Sequence, residues 1–362
     1  NNMKLPKPRR IITEKYVAGL SLFKSKKSSI KLSANESALG PSPKAVKAYN
    51  SVANSFFRYP DSDGIFFRKV LAKKFGLDKN RIILGSGSDQ IFELVCKLFL
   101  TKNDEVIVSE YSFIIYRIYS GMCEAKVKYA KENNFRASVN SILNCVTRKT
   151  KIVFLANPNN PTGTYLSKTE MLELRRKLRG DILLVVDDAY FQYIDDSNYS
   201  SGLELFSNSK NVVITRTFSK IYGLAGLRIG WGYSSKEIIK KLYEIKPPFN
   251  VNRPALFAAT EAVKDTSWLQ KSIKHNRFWS EKIFKVIDEI GISTNKTSVN
   301  YFLLNFDFVN KSSSKVFNEL ASSGILLRKM DVYGIKNSLR VTIGNKKENE
   351  KFISKLKKIF NV

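Results

Sequence analysis

The sequence predicts an α/β protein: a mostly parallel central sheet flanked by helices, with a smaller α+β domain toward the C-terminal end. Three observations carry this. Apolar runs of strand length at 151–155, 181–186 and 212–214 are separated by helical segments such as 168–179, the pattern of parallel strands joined by crossovers. Each run stops at polar or turn-forming residues, at the carboxyl edge where such sheets bind ligands. After two prolines near 247 the order changes to long helices and short alternating strands. A chain of 362 residues can bury a large core and divide into two domains. The expected division is an N-terminal arm over 1–37, a large domain over 38–255 and a small domain over 256–362.

The arm is basic over its first ten residues and lacks the apolar stretch of a secretory signal. Pro43 suits the first turn of a helix and predicts one to about residue 55. Pro60 keeps Tyr59 out of helical geometry. The run 81–84 is a strand, and Gly85-Ser86-Gly87-Ser88-Asp89 opens a helix whose Ile91, Leu94, Val95, Leu98 and Phe99 form one stripe. Such a turn leaves free N–H groups at a positive helix end, an anion site, and a plain helix cap accounts for it equally. The strand 105–109 leads to Tyr111 and Phe113. The run 151–155 enters the turn Asn157 to Gly163, 181–186 enters Asp187, Asp188 and Tyr190, and 212–214 points toward Lys220. Asn160, Asp187, Tyr190 and Lys220 are thereby expected at one edge. Beyond a helix at 235–242, Pro254 opens a helix to about 263, and 268–290 reads as a long amphipathic helix. Strands at 300–306, 324–328 and 338–343, a helix at 315–322 and a closing helix complete the small domain.

Sixty-one Lys and Arg against 32 Asp and Glu give a net charge of +29, which admits a nucleic-acid-binding protein as the rival class. The lysines, however, are spread along the chain without a basic patch interleaved by aromatics, so small molecules and not nucleic acid are the expected partners. No stretch approaches the roughly eighteen apolar residues of a membrane span. Cys96, Cys123 and Cys145 lack metal-ligand spacing and suit a reducing cytoplasm. His275 is the single histidine, expected at the surface; without others, triad chemistry and most zinc sites fall away, and no metal is expected.

The densest chemistry lies at 215–231. Thr217, Ser219 and Arg228 supply hydroxyls and a guanidinium suited to a phosphate, and Gly223, Gly226 and Gly230 keep the backbone bare around Lys220. An amine in a partly desolvated pocket can form a Schiff base. Lysine beside a phosphate site is the kit that anchors pyridoxal phosphate.

With Ser219-Lys220 followed by Gly223-Leu224-Ala225-Gly226-Leu227-Arg228, the chain resembles the class I/II, fold-type I aminotransferases, and within them the histidinol-phosphate aminotransferases, in the form that also serves aromatic amino acids. The likeness runs from about Tyr16 to the C-terminus. Ser37 and Ala18 depart from the family's Asn and Pro.

The resemblance implies a pyridoxal 5'-phosphate enzyme in which Lys220 carries the cofactor and shuttles the proton. Asp187 would pair with the ring nitrogen, Asn160 and Tyr190 would bond the ring oxygen, and Phe113 would stack on the ring. Ser88, Asp89, Thr217, Ser219 and Arg228 would hold the phosphate, joined by Tyr59 from the partner subunit of a homodimer. Tyr16, Asn35, Arg328 and Arg340 would bind the substrate. Asp188 is expected to cap or face solvent. The implied reaction is ping-pong transamination of histidinol phosphate with 2-oxoglutarate or glutamate in histidine biosynthesis, in the cytoplasm; transamination of phenylalanine and tyrosine, alone or in addition, is the alternative.

Overall fold

The computed structural model describes residues 6–7, 13–21 and 29–362, so much of the arm expected over 1–37 lies outside the described residues. The strands in chain order are β1 (Ile30–Lys31), β2 (Ile82–Gly85), β3 (Glu105–Ser109), β4 (Lys126–Ala130), β5 (Thr150–Ala156), β6 (Leu183–Asp187), β7 (Val212–Thr217), β8 (Gly230–Tyr233), β9 (Tyr301–Asn305), β10 (Ile325–Leu326), β11 (Arg328–Lys329) and β12 (Ser338–Thr342). Seven of them form the main sheet in the order β2-β8-β7-β6-β5-β3-β4. Neighbours from β7 through β4 run parallel, whereas β8 is antiparallel to both β2 and β7.

The apolar runs alternate faithfully across this sheet. Leu184 and Val186 enter one core with Val153, Leu155 and Ile214. Leu183 and Val185 enter the opposite core with Ile152, Phe154 and Val213. A strand buried on both faces reads as an unbroken apolar run, which is why these strands were visible in the sequence. Two sheet strands carry no such run. Edge strand β4, Lys126-Val-Lys-Tyr-Ala130, leaves Lys126 and Tyr129 exposed. In β8 glycine alternates with aromatics, Gly230-Trp-Gly-Tyr233. A Cβ on Gly230 would stand 2.6 Å from the Ser88 nitrogen, so the bare residue lets the start of helix Ser88–Phe99 press onto the sheet.

In the smaller lobe, β11, β12 and β9 make an antiparallel sheet. Phe302 and Leu304 of β9 pack with Trp279 and Ile283 of helix Thr266–Ile290, Phe317 of helix Ser313–Ser322, and Phe352 and Leu356 of helix Lys346–Phe360. The single strand expected over 324–328 is divided: β10 pairs parallel with β1, and β11 pairs with β12. The helix expected to about residue 55 ends at Ser51 and continues as the short turn Ala53–Ser55. The boundary expected after residue 255 falls inside helix Arg253–Lys264, whose Ala255, Leu256, Ala258, Ala259, Ala262 and Val263 belong to a core of the main sheet. His275, expected at the surface, is half-buried, and its Nε2 lies 2.9 Å from the Gly344 carbonyl oxygen.

Candidate active site

Strand ends assemble the site. Asp187 closes β6 and is only 5% exposed. Its Oδ1 accepts the Ala189 N–H at 3.0 Å and its Oδ2 the Tyr116 hydroxyl at 2.6 Å. Burial outweighs these bonds and pushes the carboxyl up to about 6. Past the end of β7, the Ser219 N–H donates to Thr217 Oγ1 at 3.0 Å, and Lys220 follows. The Lys220 Nζ donates to the Ala34 carbonyl at 3.4 Å and stands 5.7 Å from the Tyr190 ring centre. Burial, then the positive Arg340, lowers this amine to about 8.

A second group of residues centres on Arg228. Arg228 adopts φ 55°, and its Nη1 donates to Ser219 Oγ at 3.1 Å and to the Ala225 carbonyl at 2.9 Å. Its guanidinium lies against Gly87, where a Cβ would come within 2.4 Å of Nη2; Gly87 also takes φ +75°, so glycine is needed twice over. Ser88 and Asp89 follow at the first turn of the helix. Burial raises the carboxyl of Asp89, against the pull of Arg228 and Lys220.

Elsewhere in the site, Arg340 Nη1 donates to Asn160 Oδ1 at 2.5 Å and Nη2 to the Ser33 carbonyl at 2.9 Å, while its buried Nε has no hydrogen-bond partner among the described residues. Arg328 Nη2 donates to the Val17 carbonyl at 2.6 Å. Asn35, at φ 55°, donates through Nδ2 to the Tyr190 hydroxyl at 3.0 Å. Tyr16, Asn35, Ser88, Asp89, Phe113, Asn160, Asp187, Tyr190, Thr217, Ser219, Lys220, Arg228, Arg328 and Arg340 all line one cavity of about 270 Å³. Tyr59 does not line it; this side chain is 77% exposed and stacks on Phe249 at 4.5 Å.

Asp188 takes the first of the two roles the sequence left open to it. It does cap, accepting the Gly202 and Leu203 N–H groups at 2.7 and 3.2 Å, but it is sealed from solvent. Its carboxylate also pairs with Arg216 Nε at 3.3 Å, and the guanidinium lies 3.7 Å from the Phe191 ring centre. Asp188→Ala would strand a buried guanidinium and two N–H groups, and is expected to cost about 3–5 kcal/mol of stability in urea unfolding. The sequence reading passed over Tyr116 and Tyr333. Tyr333 lines the cavity from the turn after β11. Tyr116 sits in helix Ile115–Met122 beside Ile114, Ile115 and Ile118, and no motif marks it out.

Pyridoxal phosphate fits this donor set. Asp187 is a buried carboxylate whose hydrogen-bond donors among the described residues are neutral, which a protonated ring nitrogen would complement. The Thr217, Ser219, Arg228 and Gly87 cradle suits a phosphate, and the amine of Lys220 shares the same cavity. Among the described residues no group of three or more His, Cys, Asp or Glu could hold a metal.

Fold and site together define a pyridoxal-phosphate-dependent enzyme of fold type I. The fold is similar to that of the Sinorhizobium meliloti histidinol-phosphate aminotransferase solved with pyridoxal-5'-phosphate, with a TM-score of 0.85 at 23% identity over 93% of this chain and 92% of that one. It is likewise similar to the Clostridium acetobutylicum histidinol-phosphate aminotransferase, with a TM-score of 0.84 at 23% identity over 92% of this chain and 99% of that one. In sequence, the profile of aminotransferase class I and II matches residues 27–356. The histidinol-phosphate aminotransferase of Pelagibacter ubique is 50% identical over 360 residues, 99% of this chain and 100% of its own length. That of Paramagnetospirillum magneticum is 40% identical over 353 residues, 97% of each. The chain belongs to the class I and II aminotransferases, within the histidinol-phosphate aminotransferase family.

Proposed function

We propose that this protein is a homodimeric aminotransferase that exchanges the amino group of histidinol phosphate with 2-oxoglutarate, a step of histidine biosynthesis in the cytoplasm. The observation that carries the chemistry is the meeting of Lys220, Asp187 and Arg340 on one cavity wall. Full-length likeness to enzymes named for histidinol phosphate supports the substrate.

Bound pyridoxal phosphate supplies the electron sink that lets the substrate's α C–H bond break. Lys220 would hold the cofactor at its aldehyde carbon. With the cofactor bound, Lys220 would carry the proton between the substrate α-carbon and C4′, a task its lowered pKa suits by bringing the amine closer to neutrality. Asp187 keeps the ring nitrogen protonated. Asn160 and Tyr190 would set the polarity at the ring oxygen. Asn160 offers Oδ1 to Arg340, which leaves its NH₂ to donate; Tyr190 accepts from Asn35, which leaves its own proton to donate. Ser88, Asp89, Thr217, Ser219 and Arg228 hold the phosphate, Phe113 covers the ring, and Tyr16, Asn35, Arg328 and Arg340 hold the substrate. The Arg pair accepts phosphate or carboxylate alike, so one site serves both half-reactions.

Tyr59 would reach the cofactor phosphate of the partner subunit. In support, Phe56, Phe57, Tyr59, Ile65 and Phe66 are all exposed along one short stretch, apolar surface that a second copy would cover. The chain's thiols suit a reducing compartment: Cys96 is buried and burial pushes its thiol far up. Paired assays with histidinol phosphate and with phenylalanine, each against 2-oxoglutarate, are expected to give the higher kcat/KM with histidinol phosphate. Preference for phenylalanine, or turnover of neither, would refute the assignment.

A further inference from the structure

Asp187 takes one hydrogen bond on each oxygen. The Ala189 N–H belongs to the turn that follows β6 and comes with the backbone. The second donor, the Tyr116 hydroxyl at 2.6 Å, arrives from a separate helix. Tyr116 is fully buried, its ring stacked on Phe154 at 5.0 Å and edge-on to Phe92 at 5.0 Å and to Phe113 at 5.7 Å. Those three rings aim its hydroxyl at the carboxylate, and Phe113 is the ring expected against the cofactor.

We propose that Tyr116 is a positioning residue of the cofactor site: its hydroxyl fixes the orientation of the Asp187 carboxylate and keeps it ionised for the cofactor's ring nitrogen. A hydrogen bond donated to a carboxylate favours the charged form. A neutral phenol does so without cancelling the negative charge, as an arginine or lysine would, so the charge stays available to the cofactor. The other groups facing Asp187 do not fill this role. Asp89 and Asp188 oppose its ionisation. Lys220 supports it only while protonated, and Tyr190 and Tyr301 are phenols bonded elsewhere, to Asn35 and to the Asn159 carbonyl. Tyr116 remains a donor throughout, because burial and the neighbouring carboxylate hold its own proton far above the usual phenol range.

This inference rests on the placement of the cofactor nitrogen at Asp187. Its test is cofactor retention by the holoenzyme on dialysis across the acid-to-neutral range, for the wild type, Tyr116→Phe, Asp187→Asn and the double variant. Urea unfolding of the same proteins freed of cofactor is followed over the same range. Tyr116→Phe is expected to begin losing cofactor at a pH higher than wild type by about one unit or more. The cofactor-free stability profile should move in the same direction, and both displacements should vanish in the Asp187→Asn background. Fluorotyrosine at position 116, a stronger donor, should shift both profiles the other way. Superimposable wild-type and Tyr116→Phe profiles, or a displacement that persists in Asp187→Asn, would overturn the role of Tyr116. Retention in the single Asp187→Asn variant equal to wild type at every pH would instead overturn the placement of the nitrogen.

Discussion

Lys220→Ala loses the yellow absorbance of the covalently held cofactor and loses turnover by at least the roughly 10²–10⁴-fold that a positioned proton carrier contributes. The two losses have different origins, and Lys220→Arg separates them. An arginine keeps the positive charge among Asp89, Asp187 and the cradle but can neither attack an aldehyde nor give up its proton near neutrality. It should hold the cofactor by its phosphate and nitrogen contacts alone, without turnover. The wild-type amine also leaves a signature in the cofactor-free protein. Its folded pKa of about 8 lies below the ordinary 10.5, so between those values the unfolded chain binds more protons and stability rises with pH. Lys220→Ala removes that rise. Turnover retained in Lys220→Ala, or a stability profile that still climbs through the alkaline range, would contradict the role given to this residue.

How much of this was legible in the sequence follows from where the signal was local. The central parallel strands β5, β6 and β7 announced themselves because burial on two faces demands unbroken apolar runs, and the ligand edge followed because each run ended in polar residues, whereas edge strand β4 carries no such run. Lys220, Asp187 and Asn160 stood out through short motifs at those ends, Arg340 through the family resemblance alone, and the structure gathers all four on one cavity. What escaped was decided by partners distant in sequence. Strand β8 carries glycine where the helix start lies against Gly230, so its sequence shows no unbroken apolar run. For Asp188 the sequence left a cap and a solvent-facing residue as alternatives, because its counter-ion, Arg216, lies 28 residues away on the next strand. Tyr116 lies 71 residues from the carboxylate it serves, and a tyrosine among isoleucines carries no mark of that duty. The basic composition admits a nucleic-acid-binding rival, which the even spread of the lysines already disfavours. The net charge of +29 is a property of the whole surface, while the site depends on a few guanidiniums, Arg228, Arg328 and Arg340, that are fixed by hydrogen bonds.

Asp187→Asn should make a worse enzyme and a more stable cofactor-free protein, and the two effects share one cause. The amide oxygen still accepts a hydrogen bond from Tyr116 or Ala189, so the local geometry is kept, but the charge opposite the ring nitrogen is gone. Removing one preorganised charge partner is expected to lower kcat on the order of 10²–10³-fold and to weaken cofactor retention. In the cofactor-free protein the sign reverses. The folded carboxyl titrates near 6 against an ordinary 3.8, so between those values the folded state holds a proton that the unfolded chain has released. Stability therefore falls as pH rises from about 4 to about 6 and stays depressed above, by on the order of 3 kcal/mol at 1.36 kcal/mol per pKa unit. Asparagine carries no such penalty. Urea midpoints of wild type and Asp187→Asn should coincide in acid, below the ordinary carboxyl pKa, and separate in favour of the variant at neutral pH, with the order reversed once pyridoxal phosphate is added. Coincident midpoints at neutral pH would mean that burial does not disfavour this carboxylate, and the physical reason for seating a cationic ring nitrogen beside it would be lost.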